Sequence, residues 1–397
     1  MFKMINKALK FLKEGTFLLH CRKKIFYTFY SIKSNTIYKK NPVENNKIFF
    51  MTYDSKYSCN LKYISDEIIR QKLPIKIVWV CKKDNKNDFP NEVKTVVRGS
   101  QEMFYEQSSS KIWFDNALNC VWYNIPKKKE QIYINTWHGS MGIKKLSGNK
   151  KWMRMAKKLK KITDYCIANS TFEENIYKKT FWPKTEYLQY GHARNDILFD
   201  TKKHGEIRKK VSNYFDVLNN DVKFMLYAPT FRDDSRTNSF NIDFSKLKDS
   251  LEKRFGGVWV ILVRMHYKNR NIKLSNDWND WLKDASSYPD MQELLAVVDS
   301  GITDYSSWAY DYVLTKRPLF IYANDIALYN NERGFYYPLE ETPFDICKNN
   351  DELNNSIINF NMPDYLERCK TFLDDKGCYE NGKATKSIVE FIYKLLY

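Results

Sequence analysis

The feature that most constrains the fold is a regular alternation of short apolar runs with segments of helical spacing. After Pro42, the segment KIFFMTY reads as a buried strand, NLKYISDEIIRQ as a helix and IKIVWVCK as a second strand. Continuous apolar runs of this length are typical of strands that are covered on both faces. Strand, helix and strand in this order favour a parallel sheet flanked by helices.

The alternation continues in two series. The first runs through VKTVVRG, SQEMFYEQSSS, KIWFDN, QIYINTW, a basic helix, DYCIANS, TFEENIYKKTF and TEYLQYG. The second runs through KFMLYAPTF, VWVILVRMHY, MQELLAVV, SGITDY, SSWAYDYVLT and RPLFIYA. A polar stretch at 200–220 has weak strand signal, and we place a domain boundary there. A chain of 397 residues also exceeds one ordinary core. The sequence therefore predicts an α/β fold of two Rossmann-like domains facing a cleft, residues 46–205 and 206–397.

Residues 1–45 form a third predicted region, a basic amphipathic segment. Apolar side chains from Phe2 to Leu12 fall on one helical face, with lysines beside them. This pattern fits a helix packed on its own protein or a helix lying on anionic lipid. The longest clean apolar run, VWVILV, is far shorter than the roughly 18 residues of a membrane span. Lysines interrupt the N-terminal apolar runs, which argues against a signal peptide.

A formal net charge of +18 predicts an anionic partner: nucleic acid, an acidic membrane surface or a phosphorylated substrate. The helical segment KKWMRMAKKLKKI, residues 150–162, has an apolar face and a basic face, and either a membrane or the other domain could cover it. The basic residues accompany no RRM, zinc-finger or helix-turn-helix signal, which argues against nucleic acid. GxGxxG and GxxxxGK[ST] are also absent, so the signals of dinucleotide binding and P-loop chemistry are missing.

Polar side chains gather where predicted strands end. In open α/β sheets, ligands bind outside the carboxyl ends of the strands. The residues concerned are Thr136, Trp137 and His138; Thr230 and Arg232; Arg264 and His266; and Asp304, Ser306 and Ser307. Together they would place two imidazoles, two guanidinium groups, a carboxylate and a helix N-terminus at corresponding edges of two sheets. This combination suits the binding of phosphate groups.

The segment DYSS, residues 304–307, has a direct physical reading. The free N–H groups of a helical first turn and the hydroxyls of Ser306 and Ser307 can bind phosphate oxygens. Asp304 would be costly beside a diphosphate unless it orients a cation or accepts from a hydroxyl. The acidic pairs in RDD and DND lie in ordinary polar loops, so we predict no metal and no other cofactor.

Five segments, in order over roughly half the chain, resemble the CDP-glycerol glycerophosphotransferase family, the teichoic-acid primases and polymerases. They are INTWHGSMGIKKL, YGHARND, LYAPTFRDD, VRMHY and SGITDYSSWAYDYVLTKRPLFIYANDIALYNNERGFY. The resemblance implies a GT-B-like fold and peripheral, monotopic attachment to the cytoplasmic face of a bacterial membrane. It implies transfer of glycerol phosphate or ribitol phosphate from CDP-glycerol or CDP-ribitol, with release of CMP. The implied acceptor is an undecaprenyl-diphosphate-linked saccharide or polymer, in teichoic-acid or capsule-type synthesis.

The same resemblance implies roles for individual residues. The catalytic candidates are His138 in the WHG segment, the second histidine His266, and Asp304. The donor-binding candidates are Arg232, Arg264, Ser306 and Ser307, and further candidates are Thr230, Asp325 and Arg333, of which the last two could instead form a structural ion pair. Where the family tends to have proline, this chain has His192.

His138 is predicted to be the general base. The acceptor alcohol must lose its proton as its oxygen attacks phosphorus, and a neutral imidazole suits that task. The glycines that follow His138 allow the backbone to approach a bulky charged donor closely.

Two other functions stay open from the residues alone. A GT-B glycosyltransferase that uses a nucleotide sugar is the main alternative, because a fold does not determine the donor. A nucleic-acid-binding protein is the third, suggested only by the charge. Glycerol or ribitol donor, primase or polymerase, and wall teichoic acid or capsule are likewise open.

Overall fold

The computed structural model describes residues 41–123, 125–146, 150–219, 221–230, 241–265, 278–327, 329 and 334–397. Most of the predicted N-terminal amphipathic segment therefore lies outside the described residues. In the part described, the strands form two wholly parallel sheets, as continuous apolar runs joined by helices predict. The predicted α/β fold class is confirmed.

The first sheet has the strand order β3-β2-β1-β4-β5-β6-β7. Its strands are β1 Glu44–Met51, β2 Lys76–Cys81, β3 Lys94–Val97, β4 Ser110–Asp115, β5 Ile132–Asn135, β6 Tyr165–Ile167 and β7 Glu186–Leu188. Residues 48–51 of β1 are fully buried on both faces of the sheet. On one face Phe50 stacks on Trp79 and Phe114, with ring centroids 5.1 and 5.2 Å away.

The second sheet has the order β10-β9-β8-β11-β12-β13. Its strands are β8 Lys223–Tyr227, β9 Trp259–Val263, β10 Leu282–Asp284, β11 Ser300–Thr303, β12 Leu319–Tyr322 and β13 Asp345–Cys347. Each predicted strand segment overlaps one of the observed strands. The strands β10 and β13 were not predicted.

Helices cover the two sheets. They are α1 Cys59–Arg70, α2 Gln101–Ser109, α3 Lys150–Leu159, α4 Thr171–Thr180, α5 Asp196–Phe199, α6 Thr201–Tyr214, α7 Phe244–Phe255, α8 Met291–Val297, α9 Trp308–Tyr312, α10 Asn350–Ile358, α11 Met362–Asp375 and α12 Ala384–Leu396. Short 3₁₀ turns occur at Lys86–Asp88, Ala193–Asn195, Val313–Thr315 and Leu339–Glu341.

Two helices lie differently from the expectation. The polar stretch at 200–220 contains α6, because Ile207, Val211 and Phe215 recur every four residues and bury one face of that helix. The C-terminal helix α12 packs against the core of the first sheet, whereas the sequence assigns all of 206–397 to the second domain. The chain therefore returns to the first sheet at its end. The exact domain boundaries stay a prediction.

The basic helix α3 packs on the first sheet. Ala156 and Leu159 are buried, and Met155 and Ile162 are partly buried against the same core cluster. The described part of its apolar face thus packs against its own domain. Five basic residues on or just after α3 are exposed: Arg154, Lys157, Lys158, Lys160 and Lys161. We define the basic face of α3 as four of them, Arg154, Lys157, Lys160 and Lys161.

Candidate active site

The turn that follows β5, residues 136–142, anchors Trp137 in a buried aromatic cluster and places His138 beside it. Trp137 has φ of +52°, a left-handed conformation that is unusual for a bulky residue and that often marks a functional turn. Its N–H donates to Asn135 Oδ1 over 2.8 Å, and its ring packs 5.4 Å from Phe181. Burial of Trp137 fixes this His138 turn, while residue His138 keeps part of its surface open to solvent.

One hydrogen bond defines the tautomer of His138. Its Nδ1 lies 2.6 Å from the backbone oxygen of Asn116. Because a carbonyl oxygen only accepts, Nδ1 carries the proton in the neutral ring, and Nε2 keeps its lone pair. The ring lies between Trp137 and Tyr53, with centroids 4.8 and 5.1 Å away.

The surroundings of His138 favour the neutral imidazole. Loss of hydration among the neighbouring protein atoms lowers the pKa of His138 below its ordinary value, and the charge of Arg194 acts in the same direction. The hydrogen bond to Asn116 opposes this change but does not cancel it. A neutral ring with a lone pair on Nε2 can accept a proton at neutral pH.

The DYSS segment follows β11 in the second sheet. The buried carboxylate of Asp304 accepts the Thr230 N–H at 2.9 and 3.0 Å and the Tyr305 N–H at 2.5 Å. It thereby joins the carboxyl ends of β8 and β11. Helix α9 then begins at Trp308, and the side chain of Ser307, at the N-cap position, makes no capping hydrogen bond.

The His138 turn and the DYSS segment are neighbours. A Cβ atom added to Gly142 would lie 3.5 Å from the Cβ of Ser307. Just beyond the turn, Tyr336 N–H donates to Ile143 O over 2.8 Å, and Lys145 N–H donates to Gly334 O over 3.0 Å. Two of the sequence-predicted clusters, one from each half of the chain, therefore meet at one place.

Other predicted site residues have defined positions. Arg264 Nη1 donates to Ala285 O and Tyr288 O at 2.8 and 2.7 Å, so it holds the loop after β10. Asp325 accepts from the Tyr305 hydroxyl over 2.8 Å, beneath the DYSS segment. The remaining predicted residues, Arg232, His266 and Arg333, lie outside the described residues.

Sequence reasoning missed two buried charged residues at this place. Arg194, in the segment YGHARND, donates from Nη2 to Gly139 O over 2.9 Å and pairs with Asp311. In the same segment, the sequence singles out His192. This residue is fully buried, and its Nε2 lies 3.1 Å from Glu173 Oε2. Arg194 lay in a family-like segment, but its partner is 117 residues away in the chain. Sequence periodicity cannot reveal such a pair.

Comparison with known proteins identifies the class. The family model described as CDP-glycerol:poly(glycerophosphate) glycerophosphotransferase matches residues 33–394. The chain belongs to this glycerophosphotransferase family. The family and the enzyme class expected from the resemblance are therefore confirmed.

Individual members of the family are similar over most of this chain. A teichoic acid poly(glycerol phosphate) polymerase of Staphylococcus epidermidis is 32% identical over 381 residues, covering 90% of this chain and 52% of that protein. A polymerase of the same description from Bacillus spizizenii is 30% identical over 369 residues, covering 88% of this chain and 92% of that one. The chain thus spans about half the length of the first relative and most of the second.

A solved structure is similar as well. It is the wall teichoic acid polymerase TagF, as a histidine-to-asparagine variant soaked with CDPG, with a TM-score of 0.79 and 30% identity. The match covers 99% of this chain and 98% of that chain.

Two observations bear on metal and membrane. Across the ranges that the structure describes, no group of three or more His, Cys, Asp or Glu side chains could hold a metal ion. Within the same ranges, no helix combines the length and the apolar character needed to span a membrane.

Proposed function

We propose that this protein transfers glycerol phosphate from CDP-glycerol to a hydroxyl of a lipid-linked saccharide or polymer in teichoic-acid-type synthesis, releasing CMP. The observation that carries the proposal is the contact between the His138 turn and the DYSS segment. This contact supports the proposal because it places the turn that carries His138 beside the segment that carries Ser306 and Ser307, at the carboxyl ends of strands from two parallel sheets. The family description and the glycerol phosphate relatives support CDP-glycerol as the donor.

The reaction needs one proton acceptor and a site for phosphate charge. The acceptor hydroxyl gives its proton to His138 Nε2 as its oxygen bonds to the glycerol-bearing phosphorus. The bond between that phosphorus and the bridging oxygen breaks, and CMP leaves with the electron pair. Phosphoryl transfer depends mostly on positioning and charge stabilisation, to which the hydroxyls of Ser306 and Ser307 contribute. Arg232 and His266 are retained as further phosphate contacts.

Asp304 receives a positioning role in this proposal. Both of its oxygens accept backbone N–H groups, which fixes Thr230 and Tyr305 relative to each other. Arg264 and Asp325 act in the same way, through the loop after β10 and through the ring of Tyr305. These three residues shape the donor side and leave proton transfer to His138.

The proposed location is the cytoplasmic face of the cell membrane, with an undecaprenyl-diphosphate-linked saccharide or polymer as acceptor. The exposed basic face of α3 supports attraction to anionic lipid, since each basic residue near such a surface contributes about 1 kcal/mol. Because the apolar face of α3 is covered, this attraction would be electrostatic.

A donor assay tests the proposal against a nucleotide-sugar transferase. The protein is incubated with a lipid-linked disaccharide and, in separate reactions, CDP-glycerol, CDP-ribitol, UDP-sugars and GDP-sugars. We expect acceptor-dependent release of CMP from CDP-glycerol, and its loss in His138→Ala. Preferential turnover of CDP-ribitol would identify CDP-ribitol as the donor instead of CDP-glycerol. Release of UDP or GDP would favour a nucleotide-sugar glycosyltransferase.

A further inference from the structure

We propose that Arg194 is a positioning residue that aligns the His138 turn with the DYSS segment, acting through Asp311. The inference rests on the proposed function, in which these two elements share one reaction. Arg194 lies in the 3₁₀ turn Ala193–Asn195, after the last strand of the first sheet, and its side chain is buried. Its donors are used by the protein, so its effect on the reaction passes through other residues.

On one side, Arg194 and its neighbour Asn60 hold the backbone around His138. Arg194 Nη2 donates to Gly139 O over 2.9 Å. Asn60 Oδ1 accepts the Arg194 N–H over 3.2 Å, and Asn60 Nδ2 donates to Thr136 O and Trp137 O at 3.2 and 3.3 Å. Carbonyl groups on both sides of His138 are therefore tied to the position of Arg194.

On the other side, Arg194 binds a carboxylate of α9, the helix that follows the DYSS segment. Its Nε donates to Asp311 Oδ2 over 3.1 Å and its Nη2 donates to Asp311 Oδ1 over 3.3 Å, a two-pronged contact with fixed geometry. Asp311 lies in α9, four residues beyond Ser307. Asn195 Nδ2 and Gln292 Nε2 also donate to this carboxylate, at 3.0 and 3.2 Å.

The pair is charged although it is buried. Burial alone would raise the pKa of Asp311, but the Arg194 guanidinium, together with His192 and the hydrogen bond from Asn195, more than offsets that effect and lowers the pKa. Burial alone would lower the pKa of Arg194, but the charge and hydrogen bonds of Asp311, together with Cys59, more than offset burial and raise the pKa. Such a pair has rigid geometry, and removal of one partner leaves an uncompensated buried charge. One planar guanidinium thus fixes the distance between the base and the donor-side hydroxyls.

A second ion pair between the same two halves provides a matched comparison. Lys62 in α1 pairs with Asp290, which immediately precedes α8, and the Tyr63 hydroxyl donates to the same carboxylate oxygen over 3.1 Å. Among the described residues, neither Lys62 nor Asp290 is hydrogen-bonded to or ion-paired with the His138 turn. If Arg194 only held the halves together, Lys62 variants would have the same effect.

The test compares Arg194→Gln with Lys62→Gln in the CDP-glycerol assay. In Arg194→Gln we expect kcat to fall about tenfold or more, because a small misplacement of reacting groups has effects of this size, with little change in donor KM. The Arg194 charge lowers the pKa of His138, while Asp115 and Asp54 raise it. Removal of that charge should therefore raise the pKa, so that the fall of kcat on the acidic side, its acid limb, begins at higher pH. Lys62→Gln should leave both kcat and the pH of its acid limb unchanged.

A second pair of variants keeps the test decisive. Asp311→Asn should reproduce the kcat loss, and Arg194→Lys, which keeps the cation, should restore part of it. NMR titration measures the pKa of His138 independently of turnover. This pKa should rise in Arg194→Gln and stay constant in Lys62→Gln. If the wild type releases no CMP, the proposed function fails, independently of this comparison.

Several results would overturn the inference. One is a folded Arg194→Gln or Asp311→Asn variant that keeps the wild-type kcat and the wild-type pH at which kcat falls. Another is a loss of kcat in Lys62→Gln as large as the loss in Arg194→Gln. Failure of Arg194→Gln, Arg194→Lys and Asp311→Asn all to fold would also overturn it, since the pair would then be a requirement of the fold.

Discussion

At His138, a single hydrogen bond selects the nitrogen that can act as a base. The sequence predicts an imidazole on a glycine-rich turn, but it does not predict the tautomer. The partner of Nδ1 is the backbone oxygen of Asn116, which lies 22 residues earlier at the end of the neighbouring strand. Only the parallel pairing of β4 with β5 brings the two together.

The pH dependence of turnover should report this neutral imidazole. His138 must be unprotonated to accept a proton, and its surroundings lower its pKa, so turnover should fall only below the ordinary histidine range. His138→Ala should lose about a hundredfold or more in kcat, with donor affinity nearly unchanged, and its residual activity should lack the acid limb. The measurement is kcat against pH from acidic to neutral buffers.

A matched histidine variant controls this experiment. His204, in α6, is hydrogen-bonded to Ile197 O over 2.8 Å, so His204→Ala should keep the wild-type profile. Near-normal turnover with easier unfolding in His138→Ala would make the residue a structural part of its turn.

The residue scale also shows what sequence patterns leave undetermined. Asp304 follows a predicted strand, and from the sequence a ligand-facing role was reasonable. In the structure its oxygens accept N–H groups from Thr230 and Tyr305, the first of which is 74 residues away. Long-range polar partners depend on the strand order of the sheet, and no local periodicity encodes that order.

At the scale of elements, the strands were predictable because they are buried on both faces. Runs such as WVILV in β9 are wholly apolar, and parallel sheets require this. Helix α6 was missed because polar residues dominate its sequence and only one narrow face is buried. Helix α3 was found, but the sequence could not tell which surface covers its apolar face.

The DYSS segment should contribute to donor affinity through its hydroxyls. The double variant Ser306→Ala with Ser307→Ala removes two donors and keeps the backbone. We expect CDP-glycerol binding to weaken by about 1 to 3 kcal/mol, the range for hydrogen bonds to charged groups. Calorimetric titration of the donor measures this. As a control, Ser250→Ala removes a hydroxyl bonded to Lys246 O in α7 and should bind normally; equal affinity in both variants would contradict the assignment.

The basic face of α3 should mediate binding to anionic vesicles. Replacement of its four residues by glutamine should reduce sedimentation with vesicles that contain anionic lipid, and high salt should weaken binding of the wild type. A control of equal charge replaces exposed lysines elsewhere: Lys202, Lys209, Lys246 and Lys253. If both quadruple variants lose binding equally, or if neutral vesicles bind as well, the attraction is not specific to α3.

At the scale of the whole molecule, the proposed site belongs to neither half alone. The imidazole comes from the first sheet, and the serine hydroxyls come from the second. The backbone of 143–145 pairs with 334–336, and α12 returns to the first core. The two parallel sheets were predictable from the two series of strands and helices. The buried network at the junction was not, because its members come from distant parts of the chain.

The product of the reaction tests the central claim most directly. The protein is incubated with CDP-glycerol and a lipid-linked saccharide, and the acceptor mass and the released nucleotide are measured together. We predict mass increments of glycerol phosphate, one CMP for each increment, and neither in His138→Ala; one increment would indicate a primase and a ladder a polymerase. An acceptor that gains no glycerol phosphate, or gains a sugar from a nucleotide sugar instead, would contradict the account.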